Sequence, residues 1–106
     1  MDYMEKIYIC MLYRKCNIKS EYFDNLSEII CEGVIKCFHD ETIAYNYALN
    51  EFKNYDIYNL EYFNKILYSK RINNKEKIIR IRELIETTSE IPDNIYFYDI
   101  ICEDII

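Results

Sequence analysis

The sequence predicts an all-α domain, a compact bundle of five to six short helices, on three observations. Glycine and proline occur once each in 106 residues, as Gly33 and Pro92, whereas a β-sandwich or α/β domain of this size draws on several turn glycines. Apolar residues recur at three- and four-residue intervals through most of the chain. Residues suited to helix N-caps, Ser20, Asp40 and Asn73 or Asn74, stand just ahead of such stretches. The length fits one domain and one core, residues 1–106. Hydrophobic residues at 51% and charged residues at 30% are the balance of a folded chain.

The elements follow in order. Asp2 to Cys16 reads as a first helix, with Met4, Ile7, Tyr8, Met11 and Leu12 at helical spacing. Glu21 to about Phe38 reads as a second, with a stripe of Tyr22, Leu26, Ile29, Ile30, Gly33, Val34 and Cys37. Asp40 caps a third helix running to about Lys53, apolar almost all round and so expected at the centre of the bundle. Its Ala44 and Ala48, the only alanines, lie on one face and invite close approach of another element. A fourth helix starts at Asp56 or Asn59 and runs to about Lys70. A fifth, capped by Asn73 or Asn74, turns Ile78, Ile81, Leu84 and Ile85 inward. The last element, about 92–106, fits either a helix or a β-branched, aromatic strand. Helix is favoured, because no other segment offers a strand for it to pair with.

The search for chemistry returns no catalytic, cofactor-binding or metal-binding residue. Two Cys-x5-Cys pairs, Cys10/Cys16 and Cys31/Cys37, lack the two-to-four-residue spacing of structural zinc sites. The five cysteines read more simply as buried free thiols acting as small hydrophobes. Cys37 and the single histidine, His39, diverge on a helix and form no nucleophile–base pair. One glycine inside a helical pattern leaves no phosphate cradle. The expectation is a protein that is not an enzyme and needs no cofactor. An acidic start without a signal-peptide pattern, and no long uncharged run, place it in the cytoplasm of a bacterial or host cell, away from membranes.

Charge is the most informative feature. The formal net charge is −6, yet residues 65–82 carry seven bases and one acid, and residues 83–106 carry seven acids and no base. On the second predicted helix Glu21, Asp24, Glu28 and Glu32 stack along one face, about 5–6 Å apart. Such a stripe repels itself and would be relieved by a partner with a basic cleft. Twelve tyrosines and no tryptophan add to this, with Tyr55, Tyr58 and Tyr62 at near-helical spacing beside acids, a composition suited to protein contact. Ile79 projects from the fifth helix between bases as a further contact. The bases Lys70, Arg71, Lys75, Lys77, Arg80 and Arg82 form an alternative contact, either to nucleic-acid phosphates or to the acidic faces within the fold or a homodimer.

No family motif is present. By class the profile is similar to that of small acidic inhibitors such as anti-CRISPR proteins, DNA mimics and immunity proteins against nuclease toxins. The expected function is therefore inhibition or neutralisation of a protein partner by occupying its basic, nucleic-acid-binding or nuclease cleft. Two alternatives stand beside it. One is a viral helical adaptor of Bcl-2-like or death-fold type with an apolar groove; the other, ranked lower, is a nucleic-acid binder using residues 65–82.

Overall fold

A computed structural model of the chain describes residues 5–18, 26–54, 61–87 and 95–105. The order is β1 (Glu5–Ile18), β2 (Leu26–Phe38), α1 (Glu41–Lys53), α2 (Glu61–Leu67), α3 (Asn74–Thr87) and β3 (Ile95–Ile105). This is an α+β fold, with a three-stranded antiparallel sheet in the order β2-β1-β3. The all-α bundle is overturned at three elements. The first predicted helix overlaps β1, the second contains β2, and the last element, read as helix, is β3.

The physical reason lies in composition and in what periodicity can resolve. Residues 7–13 of β1, Ile-Tyr-Ile-Cys-Met-Leu-Tyr, are an unbroken apolar run, which satisfies a helical and a strand period equally. β1, β2 and β3 are rich in Ile, Tyr, Phe and Cys and contain no alanine, the side chains that fit a pleated, packed surface. Gly33 lies inside β2 at φ +133°, a conformation open to glycine and strained for other residues. With β1 extended, β3 acquires the pairing partner it was thought to lack.

β1 pairs with β2 from Tyr8↔Phe38 to Ile18↔Leu26 and with β3 from Glu5↔Ile105 to Lys15↔Ile95. The β1–β2 register shifts twice, so that Glu32 and Ile35 are extra residues in β2. Such bulges bend and twist the strand that carries them. The long strands give the molecule an extent of 58 × 32 × 19 Å.

Two helices are capped as the sequence predicts. The Asp40 carboxylate accepts from the Ile43 N–H at 3.0 Å, and the Asn73 side chain accepts from the Glu76 N–H at 2.8 Å. α1 buries Ala44, Ala48, Leu49 and Phe52 but leaves Ile43 exposed, so it is a one-faced helix lying on a sheet. Phe52 meets Tyr98 of β3 edge-on at 5.2 Å. α3 buries Ile78, Ile81 and Ile85, with Leu84 packed partly against the core. α2 ends at Leu67 rather than near Lys70, its predicted start lies outside the described residues, and it contributes Phe63 and Leu67.

Successive residues of a strand point to opposite faces, yet Phe97, Tyr98, Asp99 and Ile100 of β3 are all buried. α1 meets one set through Tyr98, and α3 reaches the other through an Arg82–Asp99 ion pair. Lys15 of β1 ties α3 down further. Its ammonium donates to the carbonyls of Ile85 at 2.5 Å and Glu86 at 3.4 Å, at the end of a helix with no base in its own last turn. A cation there satisfies otherwise unpaired carbonyls and opposes the negative end of the helix dipole.

Two substitutions test this description by urea unfolding. A Cβ added at Gly33 meets no neighbour within 4 Å, so the expected cost of Gly33→Ala, about 1–3 kcal/mol, is backbone strain alone; an unchanged midpoint would contradict the strained φ. Lys15→Met should remove charge-assisted bonds and cost about 1.5–3 kcal/mol, with no loss meaning that the C-terminal turn of α3 is held by other contacts.

Candidate interaction surface

Pleating and register assign the sheet two unlike faces. Tyr8, Cys10 and Leu12 of β1 alternate to one side with Phe38, Tyr98 and Ile100, their partners in register. Cys10 is wholly buried there, and Tyr8, Leu12 and Phe38 pack against the core. The other side carries Ile7, Ile9 and Met11. These are half-buried but stand outside the set of side chains packed on the core.

On that second face the register aligns Cys37, Ile9 and Ile101 in one row across the three strands, and Val34, Met11 and Asp99 in the next. Val34 is 58% exposed, Ile29 42% and Ile105 38%. α3 covers only the part of this face around Asp99, Tyr13 and Lys15, where Arg82 meets Asp99 and the Tyr13 ring stacks on Phe97 at 5.3 Å. Ile7, Ile9, Met11 and Ile101, on the remainder, are half-buried and are not among the described side chains packed on the core. The remainder's charged members at the open end are Glu5 and Glu103, paired in register with Ile105 and Ile7. The face is therefore apolar with an acidic margin.

The predicted acidic stripe takes another form. Glu21 and Asp24 lie outside the described residues. Glu28 and Glu32 are on a strand, where four residues span roughly 13 Å rather than one helical turn. Glu32 is already engaged, accepting from the Arg14 guanidinium at 2.6 Å, whereas Glu28 is exposed. Tyr55 and Tyr58 also lie outside the described residues. Tyr62 is exposed on α2, its ring 4.9 Å from Phe63, and Ile79 is half-buried on α3.

The basic segment is largely neutralised by the fold. Lys65 pairs with Glu61, Lys75 with Glu41, Arg80 with Glu76, and Arg82 with both Glu86 and Asp99. Lys77 is buried, and burial lowers its pKa, helped by the nearby Lys53 ammonium. Lys70 and Arg71 remain exposed. Asp99 moves the opposite way from an ordinary paired carboxylate: burial raises its pKa, and the Arg82 guanidinium and the Ile100 N–H only partly offset this.

Surface clefts lie among the described residues. One, about 460 Å³, lies between the first turns of α1 and α3 and is lined by Glu41, Tyr45, Asn46, Asn74 and Lys75 among others. Its polar groups satisfy one another: Asn74 donates to Asn46, and Lys75 lies 3.5 Å from Glu41 and over the Tyr45 ring. Another, about 490 Å³, is bounded by Ile66, Arg80, Glu83, Leu84 and Thr87. Among the described residues no group of three or more metal-ligating side chains converges. The thiols depart from expectation, since only Cys10 is buried while Cys31, Cys37 and Cys102 are exposed.

The sequence reading missed the open face because it assigned β1 and β2 to helices. The signal was present in the run from Ile7 to Tyr13, which is too continuous for a single helical stripe. Comparison with protein-family models, with curated proteins and with solved structures yields no match.

Two measurements test the local chemistry. Burial pushes the Cys10 thiol up to about 12, so a thiol reagent at pH 8 should modify Cys31, Cys37 and Cys102 in the folded protein and Cys10 only on unfolding; prompt labelling of Cys10 would contradict its placement. Because the folded-state pKa of Asp99 is raised, folding binds a proton there as pH falls through that value, which favours the folded state. Unfolding at pH 7 and pH 4 should then show wild type gaining stability relative to Asp99→Asn on acidification, and a relative loss would mean that Arg82 outweighs burial.

Proposed function

We propose that this chain is a small acidic interaction protein that inhibits or neutralises a protein partner by covering it, with the open face of the sheet as the contact. One observation carries this reading: Ile7, Ile9, Met11 and Ile101 occupy the middle of a sheet face without reaching the core, and Val34 beside them is 58% exposed. A contiguous apolar face on so small a domain is costly to leave in water and is characteristic of a contact surface.

Charge narrows the partner. The formal charge is −6, and the open end of the face is bordered by Glu5 and Glu103. A cleft with an apolar floor and basic rim is the complement, and long-range attraction would speed its encounter with this surface. Nucleic-acid binding through residues 65–82 is less well supported, because four of the seven bases there already face carboxylates. The helical adaptor reading falls with the all-α fold on which it depended.

Affinity capture from the native host lysate tests the proposal when run with variants. Ile9→Lys and Met11→Lys should each lose the captured partner while keeping the far-ultraviolet circular dichroism of wild type. The pair Lys70→Glu and Arg71→Glu should retain it. Capture unaffected by Ile9→Lys and Met11→Lys, or abolished by the Lys70 and Arg71 changes, would contradict the assignment.

A further inference from the structure

Among the described residues no strand pairs with the outer edge of β2, a second surface distinct from the face of the sheet. β2 ends the sheet on one side, and Glu28, Ile29, Cys31, Glu32 and residues Val34 to Cys37 along it are exposed. An edge strand presents unpaired N–H and C=O groups, and proteins commonly guard such edges with charges and bulges. Both are present here, at Glu28, Lys36 and the two bulges. Their placement has a symmetry that a guard does not require.

Counted along the pairing with β1, and omitting the bulged Glu32 and Ile35, Cys31 is the central position of β2. Leu26 and Phe38 are equally far from it on either side. The same count makes Ile30 the mirror of Gly33, Ile29 the mirror of Val34, and Glu28 the mirror of Lys36. A second copy laid antiparallel along the edge with full overlap, its two-fold axis through Cys31, therefore sets Glu28 opposite Lys36 twice. It also sets the exposed Ile29 opposite the exposed Val34 twice. Opposed residues of an antiparallel pair share a face of the sheet. Glu28 and Lys36 meet this condition, as their partners Cys16 and Cys10 are an even number of residues apart on β1; Ile29 and Val34, opposite Lys15 and Met11, meet it on the other face. Neither Glu28 nor Lys36 has an ion-pair partner among the described residues.

We infer that β2 is the dimerisation edge of this protein, and that a second copy of the chain adds to it as an antiparallel strand centred on Cys31. Charges that would block a foreign strand are neutralised by the chain's own copy, which makes the edge selective for itself. The product is a continuous six-stranded sheet with isologous, closed symmetry. It goes beyond the partner-binding reading and does not depend on it, because the open apolar face stays accessible in the dimer.

Sedimentation equilibrium of the full chain provides the test, with the 13.0 kDa monomer mass as reference. Wild type should sediment at twice that mass. Glu28→Lys and Lys36→Glu place like charges opposite one another at two sites each, and each should weaken dimerisation by roughly tenfold or more. The double variant restores opposite charges in exchanged positions and should recover the dimer. Mild oxidation should covalently link wild type through Cys31, since paired antiparallel positions bring Cα atoms within disulfide range, and Cys31→Ser should abolish that link. A monomeric wild type would overturn the inference. Single charge variants that remain dimeric, or a double variant that stays dissociated, would overturn the register. Loss of capture by Ile9→Lys with dimerisation intact would leave each surface tested separately.

Discussion

The placement of β1 between two antiparallel neighbours is the constraint on which the rest of the structure depends. Its run from Ile7 to Tyr13 is apolar at every position, so one face alone cannot bury it. Pairing with β2 and β3 satisfies its backbone on both sides. The set containing Cys10 then serves as the floor for α1, and the set containing Tyr13 and Lys15 meets α3. The Lys15 ammonium at the end of α3 and the Arg82–Asp99 pair fasten that helix to β1 and β3. Because β3 comes from the far end of the chain, this arrangement closes the domain through long-range contacts, for which loop-closure entropy must be offset by burial.

What remains after that packing is where the functional interest lies. The helices cover one face and one corner of the other, leaving Ile9, Met11 and Ile101 outside the core. The basic segment that stood out by charge lies along α2 and α3 and pairs mostly with carboxylates close at hand. Such exposed pairs contribute little stability, yet they remove the free positive charge that phosphate binding would need. The acidic surplus is left to the rest of the surface.

Parts of the fold were legible in the sequence and parts were not, for identifiable reasons. Asp40 and Asn73 announced the starts of α1 and α3, because side-chain capping is a local interaction that leaves a local signature. Ala44 and Ala48 announced a buried face, and both are fully buried on α1. The strands were obscured because β1 is apolar at consecutive positions, so helical spacing could be found in it without being its true period. The isolated Gly33 was the contrary clue: inside a helix it costs about 1 kcal/mol relative to alanine, whereas beside a bulge its backbone freedom is used. The reading of β3 failed next as a consequence, since a strand is recognised partly by its partner. The candidate surface followed the same pattern. Glu28 is exposed, but spacing on a presumed helix gave it the wrong neighbours.

Amide hydrogen exchange followed by nuclear magnetic resonance tests the central position of β1 most directly. With a neighbour on each side, the amides from Tyr8 to Lys15 should be protected at successive residues and exchange among the slowest in the protein, whereas in the edge strand β3 only the alternate amides directed at β1 should match them. Rapid exchange along β1, or protection there at alternate residues only, would contradict the arrangement from which both the core and the open face are derived.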